Sequence, residues 1–234
     1  MNATMAEACA SRSTWGCTEH LIQLLGVDVE AVHDDYFFDV MAGRVPNQFP
    51  KGPVVDDFGM KDWGHGLLMQ SHGFFGLVAA PMADALALLL RGQVVLEVGA
   101  GRGLLARSLR DRHVEVIATD RSEGKVDPLT GTHVVKANGK EAVRRYGKQS
   151  DVLLLVCPDR AEDYVEVIRT WAQLKGAEAR VIVVGESPGG CHLPLEADDY
   201  LRLWPDFPGI PYRSYHHRTE RVTGYLAQQS AWSQ

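Results

Sequence analysis

Val94-Val95-Leu96-Glu97-Val98-Gly99-Ala100-Gly101-Arg102-Gly103 passes from an apolar, β-branched run straight into glycines at alternate positions. Val94-Val95-Leu96 reads as a strand buried on both faces. Beyond the glycines, Leu104, Leu105, Ser108 and Leu109 fall at helical spacing. The stretch therefore predicts strand, tight turn and helix, in that order. Glycine lets such a turn reach positive φ and lets a ligand lie against bare backbone. The helix that follows presents unpaired N–H groups and the positive end of its dipole, which suits a negative or polar ligand group.

Glu97 adds chemistry to the turn. An unpaired carboxylate near the end of a buried strand is costly, and a ligand carrying positive charge would compensate it. S-adenosylmethionine has an ammonium, a sulfonium, a carboxylate and a ribosyl adenine. The pattern acidic-x-Gly-x-Gly-x-Gly, from Glu97 to Gly103, resembles the first motif of the class I S-adenosylmethionine-dependent methyltransferases. A dinucleotide-binding fingerprint would place glycine at 104, where Leu104 stands. The resemblance implies that Glu97, Gly99, Ala100, Gly101 and Gly103 face the cofactor. A plain strand-to-helix turn of an α/β domain is the alternative.

From Val94 onward, strand and helix alternate. Strands are expected at His113–Thr119, Thr132–Lys136, Asp151–Cys157 and Arg180–Val184. An amphipathic helix is expected over Ala161–Lys175, with Tyr164, Ile168, Trp171 and Leu174 on one side. Leu195–Leu203 reads as a further helix, and Tyr212–Arg218 with Val222–Gln228 as a closing hairpin. The fold class is α/β: a doubly wound, mostly parallel seven-stranded sheet with a C-terminal antiparallel hairpin and an N-terminal helical cover. The expected division is 1–92 for the helical extension and 93–234 for the cofactor-binding core.

Ligands of an open parallel sheet bind beyond the carboxyl ends of its strands. The second strand ends at Asp120, 17 positions after Gly103, with Arg121 beside it. A carboxylate there can accept both hydroxyls of a ribose; a turn or cap acid is the plain reading. The third ends at Ala137-Asn138, a place where the methyltransferases hold the adenine amino group. Asn138 can equally form an Asn-Gly turn. The fourth ends at Cys157-Pro158-Asp159-Arg160, which the resemblance places beside the transferable methyl. Methyltransferases acting on the amino groups of nucleic-acid bases often carry there an acid or Asn, two prolines and an aromatic. Cys157, Asp159 and Arg160 depart from that pattern and argue against base N-methylation. Asp159 can orient or deprotonate a nucleophile, or cap the helix at Ala161. One of His216 and His217 could face a pocket as a base, although such a histidine more often fills an interface.

Ahead of the core, a helix from Thr18 to Gly26 and a second from Asp28 to near Gly43 form the cover. Pro81 suits the first turn of a helix running to Leu90. The aromatic- and Gly-rich segment Asp56–Gly66, holding Phe58, Trp63 and His65, reads as a lid over the ligand or as a plain surface loop. His65 joins Asp159 as a candidate catalytic residue. His65 and His72 lack the partners of a metal site, so no metal is expected.

Composition limits the partners. Residues 1–93 hold five Lys/Arg and 11 Asp/Glu, whereas 94–234 hold 19 of each, so no basic face for extended nucleic-acid binding is visible. Cys9, Cys17, Cys157 and Cys191 form no CxxC pair and resemble reduced, intracellular cysteines. No signal peptide or membrane span is legible, which predicts a cytoplasmic chain. The expected activity is methyl transfer from S-adenosylmethionine to a small-molecule acceptor. A protein acceptor, attracted by the acidic N-terminal region, is the runner-up. A non-catalytic cofactor-binding module and a nicotinamide-dependent oxidoreductase are the readings from other classes. Oligomeric state is not legible.

Overall fold

The computed structural model describes residues 34–50, 69–70, 72–121, 124–158, 164–176, 179–186, 188, 193–213 and 220–227. Eight strands run in chain order: β1 (Val94–Val98), β2 (Glu115–Asp120), β3 (Lys125–Val126), β4 (His133–Lys136), β5 (Val152–Val156), β6 (Arg180–Gly185), β7 (Leu201–Leu203) and β8 (Arg221–Ala227). The described helices are α1 (Asp35–Met41), α2 (Ala80–Leu89), α3 (Leu104–Arg110), α4 (Gly139–Tyr146) and α5 (Tyr164–Lys175).

The sheet order is β3-β4-β2-β1-β5-β6-β8-β7. Strands β4, β2, β1, β5 and β6 are mutually parallel. β8 runs antiparallel to β6, and β7 antiparallel to β8. Set aside the two-residue β3, which flanks β4, and this is the seven-stranded, mostly parallel sheet closed by antiparallel C-terminal strands that the sequence leads one to expect. Strand order reverses at β1, with β2 on one side and β5 on the other, so the crevice of the sheet opens there.

Period-two alternation divides the core between two faces. Val95, Val152, Leu154 and Ile182 point toward α1, α2 and α3, where they meet Phe37, Val40, Leu86 and Leu109. Leu96, Leu153, Leu155 and Val183 point the other way, onto Val143, Ile168 and Trp171 of α4 and α5. Burial on both faces explains why these strands read as unbroken apolar runs. Helix α1 is joined to the segment preceding α2 by one phenol. Tyr36 Oη donates to the Val78 carbonyl at 3.1 Å and accepts from the Val78 N–H at 2.8 Å.

Two local expectations are corrected. The helix holding Tyr36, Phe37 and Val40 runs from Asp35 and is capped by Asp34, not Asp28; Asp34 Oδ1 accepts from the Phe37 N–H at 2.9 Å. Leu195–Tyr200 is a 3₁₀ turn, after which Leu201–Leu203 becomes a strand. It pairs antiparallel with β8; of the expected strand Tyr212–Arg218, residues 214–218 lie outside the described residues. A methyl group at Gly224 in β8 would lie 2.1 Å from Phe207 Cδ2, so the bare backbone of β8 receives that ring. Trp204, Phe207, Ile210 and Tyr212 are consequently packed on the core, and Tyr212 and Arg213 lie in a connecting segment. The Thr18–Gly26 helix, the Asp56–Gly66 lid and His216–His217 lie outside the described residues.

Candidate functional site

Where β1 ends, the chain turns three times through left-handed glycines: Gly99 (φ 76°), Gly101 (φ 55°) and Gly103 (φ 75°). The Ala100 N–H donates to the Thr119 carbonyl at 3.0 Å, and the Gly103 N–H to the Ala100 carbonyl at 2.8 Å. Two of these glycines are required by their neighbours as well as by their dihedrals. A methyl group at Gly101 would lie 2.9 Å from the Gly73 carbonyl oxygen, and one at Gly103 2.6 Å from Thr132 Cγ2. Gly103 thus lets α3 start flush against β4, and Gly101 lets the segment before α2 cross the loop.

Asp120, at the end of β2, reaches into this loop. The Gly101 N–H donates to Asp120 Oδ2 at 2.8 Å. Arg102 ties the other side: its Nε donates to Asp127 Oδ2 at 2.9 Å, and its Nη1 to the His72 carbonyl at 3.3 Å. Its guanidinium also lies over the Phe74 ring, 5.6 Å from the centroid. Thr130 Oγ1 donates to the Arg102 carbonyl at 2.7 Å, while Asp127 Oδ1 accepts from the Leu129 and Thr130 N–H groups. Arg102, Asp127 and Thr130 are not legible in the sequence as partners, because their 25- to 28-residue separations follow no local period.

A shallow cleft with a cavity volume of about 50 Å³ lies over the loop. Gly99, Asp120, Arg121, Val156, Cys157, Phe75 and Tyr164 line it. Four of the residues predicted from strand ends therefore converge: Gly99, Asp120, Arg121 and Cys157. Cys157 holds φ 43°, unusual for a residue with a side chain, and its N–H donates to the Val184 carbonyl at 2.7 Å. The kink turns the chain out of the sheet at Cys157-Pro158. Two wall residues went unread in the sequence. Tyr164 figured only as an apolar position on α5, yet its hydroxyl lies 3.1 Å from where a methyl group at Gly99 would sit. Phe75 is 47 % exposed at the mouth.

Other predicted residues sit elsewhere. Glu97 shares the β1 face of Val95 and lies beneath α3, only 1 % exposed, outside the cleft wall. Its Oε2 has no hydrogen-bond partner. Burial pushes its carboxyl up to about 8, against the pull of Arg110 and the Ala106 N–H and with help from the Asp120 charge. Glu97 thus lies away from the cleft wall, not on it as the resemblance implies. Asn138 caps α4: its Oδ1 accepts from the Glu141 N–H at 2.9 Å. Ala137 is buried, its N–H donating to the Asp120 carbonyl at 2.9 Å. Asp159 and His65, the two candidate catalytic residues, lie outside the described residues. Among the described residues there is no group of three or more His, Cys, Asp or Glu side chains fit to hold a metal, and no helix long and apolar enough to cross a membrane.

No family model and no curated protein matches this sequence. Solved structures do. The CcbJ methyltransferase of Streptomyces caelestis is 24% identical over 47% of this chain and 53% of its own, with a TM-score of 0.37. The chain thus spans about half of CcbJ. The mitomycin 7-O-methyltransferase MmcR is 14% identical over 97% of this chain and 76% of its own, with a TM-score of 0.46. The tRNA (uracil-54, C5)-methyltransferase of Pyrococcus abyssi, solved with S-adenosyl-L-homocysteine, is 17% identical over 68% of this chain and 41% of its own, with a TM-score of 0.44.

Proposed function

We propose that the chain is an S-adenosylmethionine-dependent methyltransferase acting on a small-molecule acceptor, in the cytoplasm. The observation that carries this reading is the convergence of Gly99, Asp120 and Cys157 on one cleft at the carboxyl edge of the sheet, next to its switch point. The antiparallel β8 beside β6, with Leu104 in place of a third fingerprint glycine, separates the arrangement from an all-parallel dinucleotide-binding sheet.

The residues present suit that cofactor. The bare Gly99 backbone beside the Tyr164 hydroxyl leaves a cradle that a side chain would fill. Asp120 Oδ1 and Oδ2 can share the Gly101 N–H and the hydroxyls of a ribose. Ala100, Gly101 and Gly103 shape the backbone beneath it, and Arg121 stands beside the ribose. Ala137 and Asn138 border the adenine side, and Cys157 and Pro158 the reactive end. The cofactor supplies an electrophilic methyl on a sulfonium. The protein positions the acceptor and excludes water. Asp159 and His65 are the proposed proton-handling residues.

Calorimetry with S-adenosylhomocysteine and with NAD tests the reading. Heat with the first alone is expected. Folded protein giving no heat with millimolar S-adenosylhomocysteine would overturn it.

A further inference from the structure

A second cavity lies at the other end of the sheet. Its volume is about 670 Å³, and Asp84, Ala87, Leu88, Arg91, Arg112 and His113 line it. Arg91 comes just before β1 and His113 just before β2. The cavity therefore sits at the amino ends of the two strands whose carboxyl ends carry Gly99 and Asp120. The five residues of β1, roughly 16 Å of strand, separate it from the glycine loop.

The chain keeps a side chain at 113 at a cost. Helix α3 closes with the Val114 N–H donating to the Leu109 carbonyl at 3.1 Å and the His113 N–H to the Arg110 carbonyl at 2.9 Å. That paired closure needs a left-handed residue at 113, which is usually glycine. The neighbouring α2 follows the rule, with Gly92 past its end at φ 73°. At 113 a histidine holds φ 63° instead. A strained residue that lines a cavity points to a task for its side chain.

The cations around it are partly fixed and partly uncommitted. Arg112 Nε donates to Asp84 Oδ1 at 2.6 Å, and its Nη1 to the Ser108 carbonyl at 2.9 Å and Ser108 Oγ at 3.0 Å. Its Nη2 and the whole Arg91 guanidinium have no partner among the described residues. Two arginines thus line the cavity against one acid; Asp111 is paired with Arg107, and Glu115 is not part of the lining. Leu88, 67 % exposed, supplies an apolar surface beside them. A phosphate ester matches this set. Guanidinium N–H groups pair with phosphate oxygens, an imidazole N–H can serve a further oxygen, and the leucine covers an apolar body.

We propose that this cavity binds a small phosphate ester with an apolar body. Arg91, Arg112 Nη2 and His113 hold the phosphate, and Leu88 the apolar part. None of these residues lines the methyl-transfer cleft.

The test titrates full-length protein with phenyl phosphate, inorganic phosphate and benzyl alcohol, followed by calorimetry and amide chemical shifts. Phenyl phosphate is expected to bind most tightly and to shift the amides of residues 91–93 and 112–114, not those of 99–103. Saturating S-adenosylhomocysteine leaves its affinity unchanged. Arg91→Gln weakens phenyl phosphate about tenfold, as loss of one charged hydrogen bond allows. Leu88→Ser weakens phenyl phosphate but not inorganic phosphate. His113→Gly separates ligand from turn. It weakens phenyl phosphate about threefold or more, yet raises the melting temperature by roughly 2–4 °C, because glycine takes the left-handed backbone freely. Equal affinity for phenyl phosphate and benzyl alcohol overturns the site. So does a His113→Gly protein that melts higher but binds phenyl phosphate as wild type does; the cations would then only complement the helix ends. Shifts confined to 99–103, or competition with S-adenosylhomocysteine, overturn its position.

Discussion

Asp120 Oδ2 receives the Gly101 N–H at 2.8 Å, so the acid at the end of β2 is bonded to the glycine turn at the end of β1. The two strands are adjacent and parallel, with Val98 opposite Thr119. One carboxylate thus fixes the loop and presents acceptor atoms to the cleft, and the two duties can be separated. Asp120→Asn keeps a carbonyl oxygen for the Gly101 N–H but replaces the other acceptor with an amide donor. Its melting temperature is expected within about 2 °C of wild type, because little but the outward hydrogen bond changes. Its affinity for S-adenosylhomocysteine is expected to fall roughly 10- to 150-fold, the worth of a charged hydrogen bond of about 1.5–3 kcal/mol. Asp120→Ala loses affinity and melting temperature together. Unchanged affinity in Asp120→Asn would remove Asp120 from the ribose site.

Gly103→Ala tests the start of α3. The added methyl meets Thr132 Cγ2 at 2.6 Å and Thr132 Cβ at 3.0 Å, at a φ of 75° that alanine disfavours. The left-handed backbone costs about 1–2 kcal/mol and overpacking about 1–3 kcal/mol. A loss of roughly 2–5 kcal/mol lowers the melting temperature by about 4–20 °C for a chain of this size. Thermal unfolding of the variant checks it, and a shift under 2 °C would mean that Thr132 yields without cost.

Asn138 has one duty that the structure makes plain. It caps α4 through the Glu141 N–H, in the S/T/D/N-x-x-E arrangement of residues 138–141. Asn138→Ala is expected to lower stability by about 1 kcal/mol, or roughly 2–4 °C. Asn138→Asp keeps the cap and should melt with the wild type. A fall of tenfold or more in S-adenosylhomocysteine affinity in the Asp variant would give the amide nitrogen a contact with the adenine.

Much of this arrangement is legible in the chain because it is local. Buried parallel strands announce themselves as apolar runs, and the ligand crevice lies where those runs stop, so Gly99, Asp120, Arg121 and Cys157 can be named from strand ends alone. What escapes is set by contacts between distant residues. Asp120 bonding Gly101, Arg102 bonding Asp127 and Tyr212 bonding Glu220 obey no period of 2 or 3.6. Glu97 fails differently. Its strand is right, yet alternation puts the side chain under α3, and only the two-faced packing of β1 reveals that.

That burial gives Glu97 a pH signature. Its carboxyl is raised from 4.5 to about 8, first by desolvation. Between those two values the native state keeps a proton that the unfolded chain has released, so stability falls as pH rises. The contribution is full below about pH 4.5 and is lost as pH rises through about 8. The slope is at most about 1.4 kcal/mol per pH unit, and the total a few kcal/mol. Glu97→Gln keeps the shape and an acceptor for the Ala106 N–H but cannot ionise. Its melting curve is expected to track wild type near pH 5 and to lie several degrees above it at pH 9. The gap should open between those values and then level off. Melting temperatures that run parallel from pH 5 to 9 in the two proteins would show that Glu97 ionises as freely in the fold as outside it.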